Sequence, residues 1–204
     1  MMTDVSVSVL DPARSLVVEP VERRALSSDA SLLERFQRGE NAALVELFDR
    51  HNERLQVYAR KILGDAELSH DITQEVWIRV LGLRSRPRRI DNPVGFLLRI
   101  ARNLCLSALS RRRVHESLDS IPEPMRPAEP ERTALEEIAI AALDELPFDY
   151  REVLVLTVYC GYSTEETACM LEKSPEAIWK RASRARAMLR AAVLSETSGG
   201  RATP

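Results

Sequence analysis

The densest concentration of chemically useful side chains runs from Phe96 to Arg113, FLLRIARNLCLSALSRRR, where two stripes share one helical period. Leu97, Ile100, Ala101, Leu104 and Ala108 recur at three- and four-residue steps and suit a core. Arg99, Arg102, Asn103 and Ser110 fall on another face, where guanidinium and carboxamide groups can hold an anion. Arg111, Arg112 and Arg113 close the helix, where the helix dipole favours cations and three guanidinium groups make a compact phosphate-binding cluster. This chemistry is binding. The sequence shows no paired carboxylates, nucleophile with base, phosphate-cradling glycine loop or metal-ligand spacing, so a protein that is not an enzyme is predicted. His51, His70 and His115 are far apart, and Cys105, Cys160 and Cys169 lack CxxC spacing. No metal, no cofactor and three reduced thiols are expected.

The elements that must position these residues are helices in a chain of strongly segregated charge. Of 204 residues, 45% are hydrophobic and 29% charged, a globular balance, and the net charge of −2 hides local extremes. Between Arg84 and Arg113 the arginines 84, 86, 88, 89, 99, 102, 111, 112 and 113 face one acid, Asp91. From Glu129 to Glu152 acids prevail, among them Asp144, Glu145 and Asp149. Such a chain can present a basic surface while remaining soluble. The N-terminus has no basic stretch followed by an apolar run, and no segment approaches the roughly 18 apolar residues of a membrane span, so a cytoplasmic protein is expected.

Periodicity predicts an all-α fold of two small helical domains joined by a flexible Pro-rich linker. Residues 1–27 read as a flexible extension and 28–113 as the first domain. Its helices begin at Asp29, resume after Gly39 until Gly64, run from Ala66 to Leu81, and restart after the arginine-rich loop that ends near Pro93. Pro122, Pro124, Pro127 and Pro130 assign 114–132 to the linker. Residues 133–194 form the second domain: a helix broken at Pro147, a second over Tyr150–Cys160, and a final pair opened by Ser163 and by Ser174 with Pro175. Residues 195–204 read as a flexible tail. The final pair has helix-turn-helix dimensions, and Lys173, Lys180, Arg181, Arg184, Arg186 and Arg190 line it.

Taken together, these blocks resemble the sigma-70 family of bacterial transcription initiation factors, in particular the extracytoplasmic-function group, which keeps only regions two and four. The resemblance spans about Leu32 to Ala192. LGDAELSHDITQEVWIRVL from Leu63 is similar to the family's polymerase-binding helix, and NPVGFLLRIARNLCLSALSRRR from Asn92 to its promoter-melting helix. LDELPFDYREVLVLTVYCGYSTEETACML from Leu143 and SPEAIWKRASRARAMLR from Ser174 are similar to the scaffold and recognition helices of region four. The resemblance implies a factor that binds core RNA polymerase through the β′ clamp helices and the β flap, melts the −10 element and reads the −35 element. It also implies regulation by an anti-sigma factor. Glu67, Asp71, Gln74, Glu75 and Ile78 would meet polymerase. Arg88, Arg89, Asn92, Arg99, Arg102, Asn103, Arg111, Arg112 and Arg113 would meet the −10 strand, and the loop from Arg84 to Asn92 would receive an extruded base. Pro175, Glu176, Trp179, Lys180, Arg181, Arg184 and Arg186 would meet the −35 duplex, with the arginines gripping phosphates. Trp77 reads as core.

Three departures from the family pattern carry consequences. Glu172 stands where the turn often has glycine, so a left-handed backbone there would cost about 1 kcal/mol. Lys173 replaces an apolar residue. Ser69 and His70 replace small and acidic residues on the polymerase-binding helix, which makes Ser69 and Thr73 candidate phosphorylation sites, since a phosphate would restore negative charge. The alternative to the initiation factor is a helix-turn-helix regulator that binds duplex DNA without polymerase, normally as a dimer on a palindrome.

Overall fold

A computed structural model of the chain describes residues 28–118 and 134–199; the expected extension, most of the linker and the end of the tail lie outside them. Among the described residues there are eight α-helices and no strand. They are α1 (Asp29–Gln37), α2 (Asn41–Leu63), α3 (Ala66–Leu81), α4 (Pro93–Leu118), α5 (Ala134–Asp144), α6 (Phe148–Leu154), α7 (Thr164–Leu171) and α8 (Pro175–Gly199), with a 3-10 turn over Gly82–Arg84.

The boundaries follow local chemistry. Ser28 Oγ accepts from the Ser31 amide at 3.2 Å, and Asp65 Oδ1 accepts from the Leu68 amide at 2.9 Å, each satisfying an N–H that the helix leaves free. Gly64 closes α2 at φ 67, a left-handed conformation that suits a residue without Cβ. Ser163 and Glu166 form a reciprocal capping box at the start of α7. Three expectations are corrected. α4 continues past Arg113 to Leu118, into the segment expected as linker, because no proline or glycine interrupts VHESL. The helix expected over Tyr150–Cys160 begins at Phe148 and widens into a π turn at Val155–Tyr159, where the Cys160 amide donates to the Val155 carbonyl at 2.9 Å. α8 runs beyond Leu194 to Gly199.

The first half, α1–α4, buries Leu32, Leu33, Phe36, Leu47, Tyr58, Ile62, Val76, Val80, Leu97, Ala101 and Cys105 in one cluster. The second half, α5–α8, has two smaller clusters: Leu143, Leu146, Leu154 and Ala185 in one, Val153, Ala168, Ile178 and Ala182 in the other. The halves do not stand apart. Val155, Leu156, Cys160 and Met170 pack into the cluster of the first half. Full burial of a Val, Leu or Met side chain contributes on the order of 1.5–3 kcal/mol, so this seam is a substantial contact. The widened turn also supplies Tyr159, whose ring takes Lys61 Nζ at 4.6 Å, and shortly after it Tyr162 takes the Arg54 guanidinium at 4.8 Å.

Candidate functional site

On α3, four residues at helical spacing, Glu67, Asp71, Gln74 and Ile78, are exposed together, with Ile78 57% accessible. Glu75, expected beside them, is half-buried and pairs with Arg79 at 2.8 Å. The apolar part of this surface is larger than the sequence suggested. Leu81 on α3 and Val45 and Phe48 on α2 are also exposed, and the Phe48 ring lies tilted against that of Trp77 with centroids 5.0 Å apart. Trp77 is core, as expected, and its indole donates to Asn52 Oδ1 at 3.0 Å. A signal for Phe48 and Val45 was present: Leu44, Val45, Leu47 and Phe48 cover too wide an arc of one helix for all to face inward.

The candidate phosphorylation sites are corrected here. Ser69 and Thr73 are 4% and 2% accessible, and their hydroxyls donate to the Ala66 and Ser69 carbonyls at 2.7 and 2.8 Å. Both oxygens are turned into the fold and bonded within α3, which leaves neither hydroxyl open to a modifying enzyme.

Around the start of α4, each expected residue has an identifiable partner. The Arg88 amide donates to Gln37 Oε1 at 2.7 Å and its guanidinium lies 4.7 Å from the Phe96 ring. Arg89 pairs with Asp91 at 2.7 Å. Asn92 caps α4, its Oδ1 accepting from the Gly95 amide at 2.9 Å. A Cβ on residue 95 would come within 2.4 Å of Asn92 Nδ2, so only glycine leaves room for that cap. Farther along, Arg99, Arg102 and Asn103 border a cleft of about 370 Å³ whose opposite wall is Met170, Leu171 and Glu172. Asn103 is exposed. At the far end, Arg111 and Arg112 are exposed, and Arg111 donates to the Ser107 carbonyl at 3.3 Å; the Arg113 side chain lies outside the described residues.

Arg102 is the best-anchored of these cations. Its Nε donates to both oxygens of Glu152, at 2.9 and 3.1 Å, and Asp149 lies 3.7 Å away. Tyr58 Oη donates to the same Glu152 carboxylate at 2.8 Å. Burial pushes the Glu152 carboxyl above its ordinary range, against the opposing pull of Arg102 and the Tyr58 hydroxyl. Burial, with the Glu152 charge beside it, also raises the Tyr58 phenol well above its usual value, which keeps it a donor. Arg99 forms an ion pair with Glu172.

The helix-turn-helix pair has the expected turn. Glu172 adopts φ 54, the left-handed region, and the Lys173 amide donates to the Ala168 carbonyl at 2.9 Å. Ser174 Oγ accepts from the Ala177 amide at 3.2 Å and opens α8. Ile178, Ala182 and Ala185 are buried at helical spacing, which leaves Pro175, Glu176, Trp179, Lys180, Arg184 and Arg186 exposed. Trp179 is 63% accessible, unusual for an indole with a core nearby. Arg181 departs from this set: it is half-buried and pairs with Asp149 at 3.4 Å, drawn toward α6. Among the described residues no cluster of His, Cys, Asp or Glu could hold a metal ion, and no helix is long and apolar enough to cross a membrane.

Two family models match the chain: Sigma-70 region 2 over residues 47–114, and Sigma-70, region 4 over residues 136–189. The chain is 30% identical over 162 residues to the RNA polymerase sigma factor CarQ of Myxococcus xanthus, covering 78% of this chain and 93% of that one. It is 33% identical over 167 residues to the ECF RNA polymerase sigma factor SigM of Mycobacterium tuberculosis, covering 79% and 83%. Among solved structures, CnrH in complex with the cytosolic domain of CnrY superposes with a TM-score of 0.61 at 26% identity, covering 83% of this chain and 99% of that one.

Proposed function

The chain belongs to the sigma-70 family, in its extracytoplasmic-function group, and as a sigma factor it directs RNA polymerase to promoters; from that premise we propose which of its surfaces does each part of the work. α3 docks on the β′ clamp helices of core polymerase. The observation that carries this assignment is the exposed stripe of Glu67, Asp71, Gln74 and Ile78, extended by Leu81, Val45 and Phe48 into a surface of apolar groups beside acids. Such a surface suits a partner helix: apolar side chains lose water on docking, and acids select a basic partner. Arg88, Arg89, Asn92, Arg99, Arg102 and Asn103 hold the non-template strand of the −10 element, with the basic end of α4 on flanking phosphates. Pro175, Glu176, Trp179, Lys180, Arg184 and Arg186 meet the −35 duplex in the major groove, and region four also contacts the β flap.

The chain's own role is non-enzymatic, since nucleotide addition belongs to the polymerase, and its place is the cytoplasm, with polymerase and DNA. It takes a polypeptide regulator, as CnrH is bound by CnrY. The stand-alone regulator is not favoured, because region two, which such a protein has no use for, matches over residues 47–114.

The test is co-elution of the full chain with core bacterial RNA polymerase, repeated with Asp71→Arg. The wild type should co-elute and charge reversal should weaken the complex at least about tenfold. A wild type that does not bind, or a variant that binds equally well, overturns the assignment.

A further inference from the structure

The chain's two tryptophans have opposite settings. Trp77 is 7% accessible and its indole N–H is taken by Asn52 Oδ1, whereas Trp179 stands 63% accessible near the start of α8. The exposed indole gives the fold little, because most of its apolar area stays in water and tryptophan forms helix less readily than alanine. We propose that Trp179 is a specificity-determining residue that selects one thymine of the −35 element through its 5-methyl group, an inference that rests on the assignment of α8 to the −35 duplex and narrows it from a helix to a base.

The position of Trp179 on α8 aims it at base edges. In a helix-turn-helix the N-terminal residues of the second helix go deepest into the major groove, and Trp179 lies one turn after Pro175, which opens α8. Ile178, Ala182 and Ala185 fix the buried side of the helix. On the other side two exposed stripes run next to each other at helical spacing: Glu176, Trp179 and Ser183 in one, Lys180 and Arg184 in the other. The Lys180 and Arg184 stripe suits phosphates. From Glu176 to Ser183 the neighbouring stripe holds an acid and no cation, so phosphates are repelled from it and base edges are what it can meet. Ser183 is small, so along that stripe the indole projects farther than its neighbour one turn on and makes the first contact with the groove floor.

The chemistry of an indole then chooses the base. It offers an apolar ring and one donor, Nε1–H, and has no acceptor. Adenine N6 and cytosine N4 present donors in the major groove, which the ring would strip of water without replacing the lost bond. Guanine presents two acceptors and no apolar group, so one donor leaves an acceptor unpaired. Thymine alone sets a methyl group beside a single acceptor, O4, which matches the ring and its one N–H.

The experiment uses the full chain assembled with core RNA polymerase and a duplex library randomised across both promoter elements, with the bound fraction sequenced. The wild type should require thymine at one position of the upstream element, at least about tenfold over any other base. In Trp179→Ala, where the side chain is exposed and alanine favours the helix, that preference should fall below about twofold while the other positions keep theirs. Arg184→Ala should instead weaken all duplexes alike and keep the thymine requirement. Replacing that thymine with deoxyuridine, which deletes only the methyl group, should weaken wild-type binding about fourfold and leave Trp179→Ala binding unchanged. A thymine requirement that survives in Trp179→Ala, a wild type indifferent to deoxyuridine, or no thymine requirement at all overturns the inference while the −35 assignment stands. A complex that selects no upstream element overturns that assignment and the inference with it.

Discussion

At Glu172 a single backbone angle sets the local energy. A side-chain-bearing residue at φ 54 pays a steric cost that glycine avoids, while the ion pair to Arg99 is exposed on both sides and contributes little to stability. Comparing Glu172→Gly with Glu172→Gln separates the two effects, since both remove the charge and only one removes Cβ. The glycine variant should be more stable by about 1 kcal/mol in urea unfolding. Asp29 poses the opposite problem, a favourable charge at a helix start. Burial raises its carboxyl, but the His51 ring at 2.8 Å and the Arg50 guanidinium at 2.8 Å outweigh that and hold it below the ordinary 3.8. A carboxyl with a lowered folded-state pKa contributes stability that is complete above the unfolded value and is lost as pH falls through the folded one. The stability advantage of wild type over Asp29→Asn should therefore shrink as pH falls below about 4. Urea midpoints at several acid pH values measure it, and an advantage undiminished well below that pH would contradict the assignment.

Among the elements, the start of α4 shows how a helix end can depend on a missing atom. Glycine inside a helix ordinarily costs about 0.5–1 kcal/mol relative to alanine. Here that preference is opposed, because a Cβ would collide with the Asn92 side chain that caps the helix. Gly95→Ala in the wild type should lose a cap worth about 1 kcal/mol and gain about 0.5–1 kcal/mol of helix preference, for a net change near zero. In an Asn92→Ala background the same change should stabilise by about 0.5–1 kcal/mol, as the ordinary helix preference returns. A double-mutant cycle measured by thermal unfolding reads the difference, about 1 kcal/mol, as the coupling between the two positions. Along the same helix the arginine stripe was legible, since a period of 3.6 assigns Arg99, Arg102 and Asn103 to a face away from Leu97 and Ala101. Its continuation to Leu118 was not legible, because the prolines farther on signal that the helix ends without fixing where. On α3 the exposed stripe was also legible, whereas the burial of Ser69 and Thr73 was not: small hydroxyl residues sit equally well on a wet face or against α2, and only the packing of α2 on α3 decides.

At the scale of the whole molecule, the seam between the halves belongs to the core of the first: Val155, Leu156, Cys160 and Met170 of the second half pack into its cluster. Leu156 is fully buried there, so Leu156→Ala should destabilise the fold by about 2–5 kcal/mol in urea unfolding. A loss below about 1 kcal/mol would show that the seam contributes little to stability.

The amino-acid order by itself determined that the chain is all-α, where most helices start, which residues face a core, and that α4 and α8 each carry a basic face. These are consequences of short-range chemistry, of caps, breakers and the helical period, and they are written within a few residues of where they act. Only the tertiary structure decided that the two surfaces touch, that Arg102 meets Glu152 fifty residues away and Arg181 is drawn to Asp149, and that Phe48 remains at the surface on Trp77. A buried carboxylate such as Glu152 looks in sequence like any other acid of an acidic stretch. Its partners are selected by how helices distant in the chain pack together, and no local pattern records that choice.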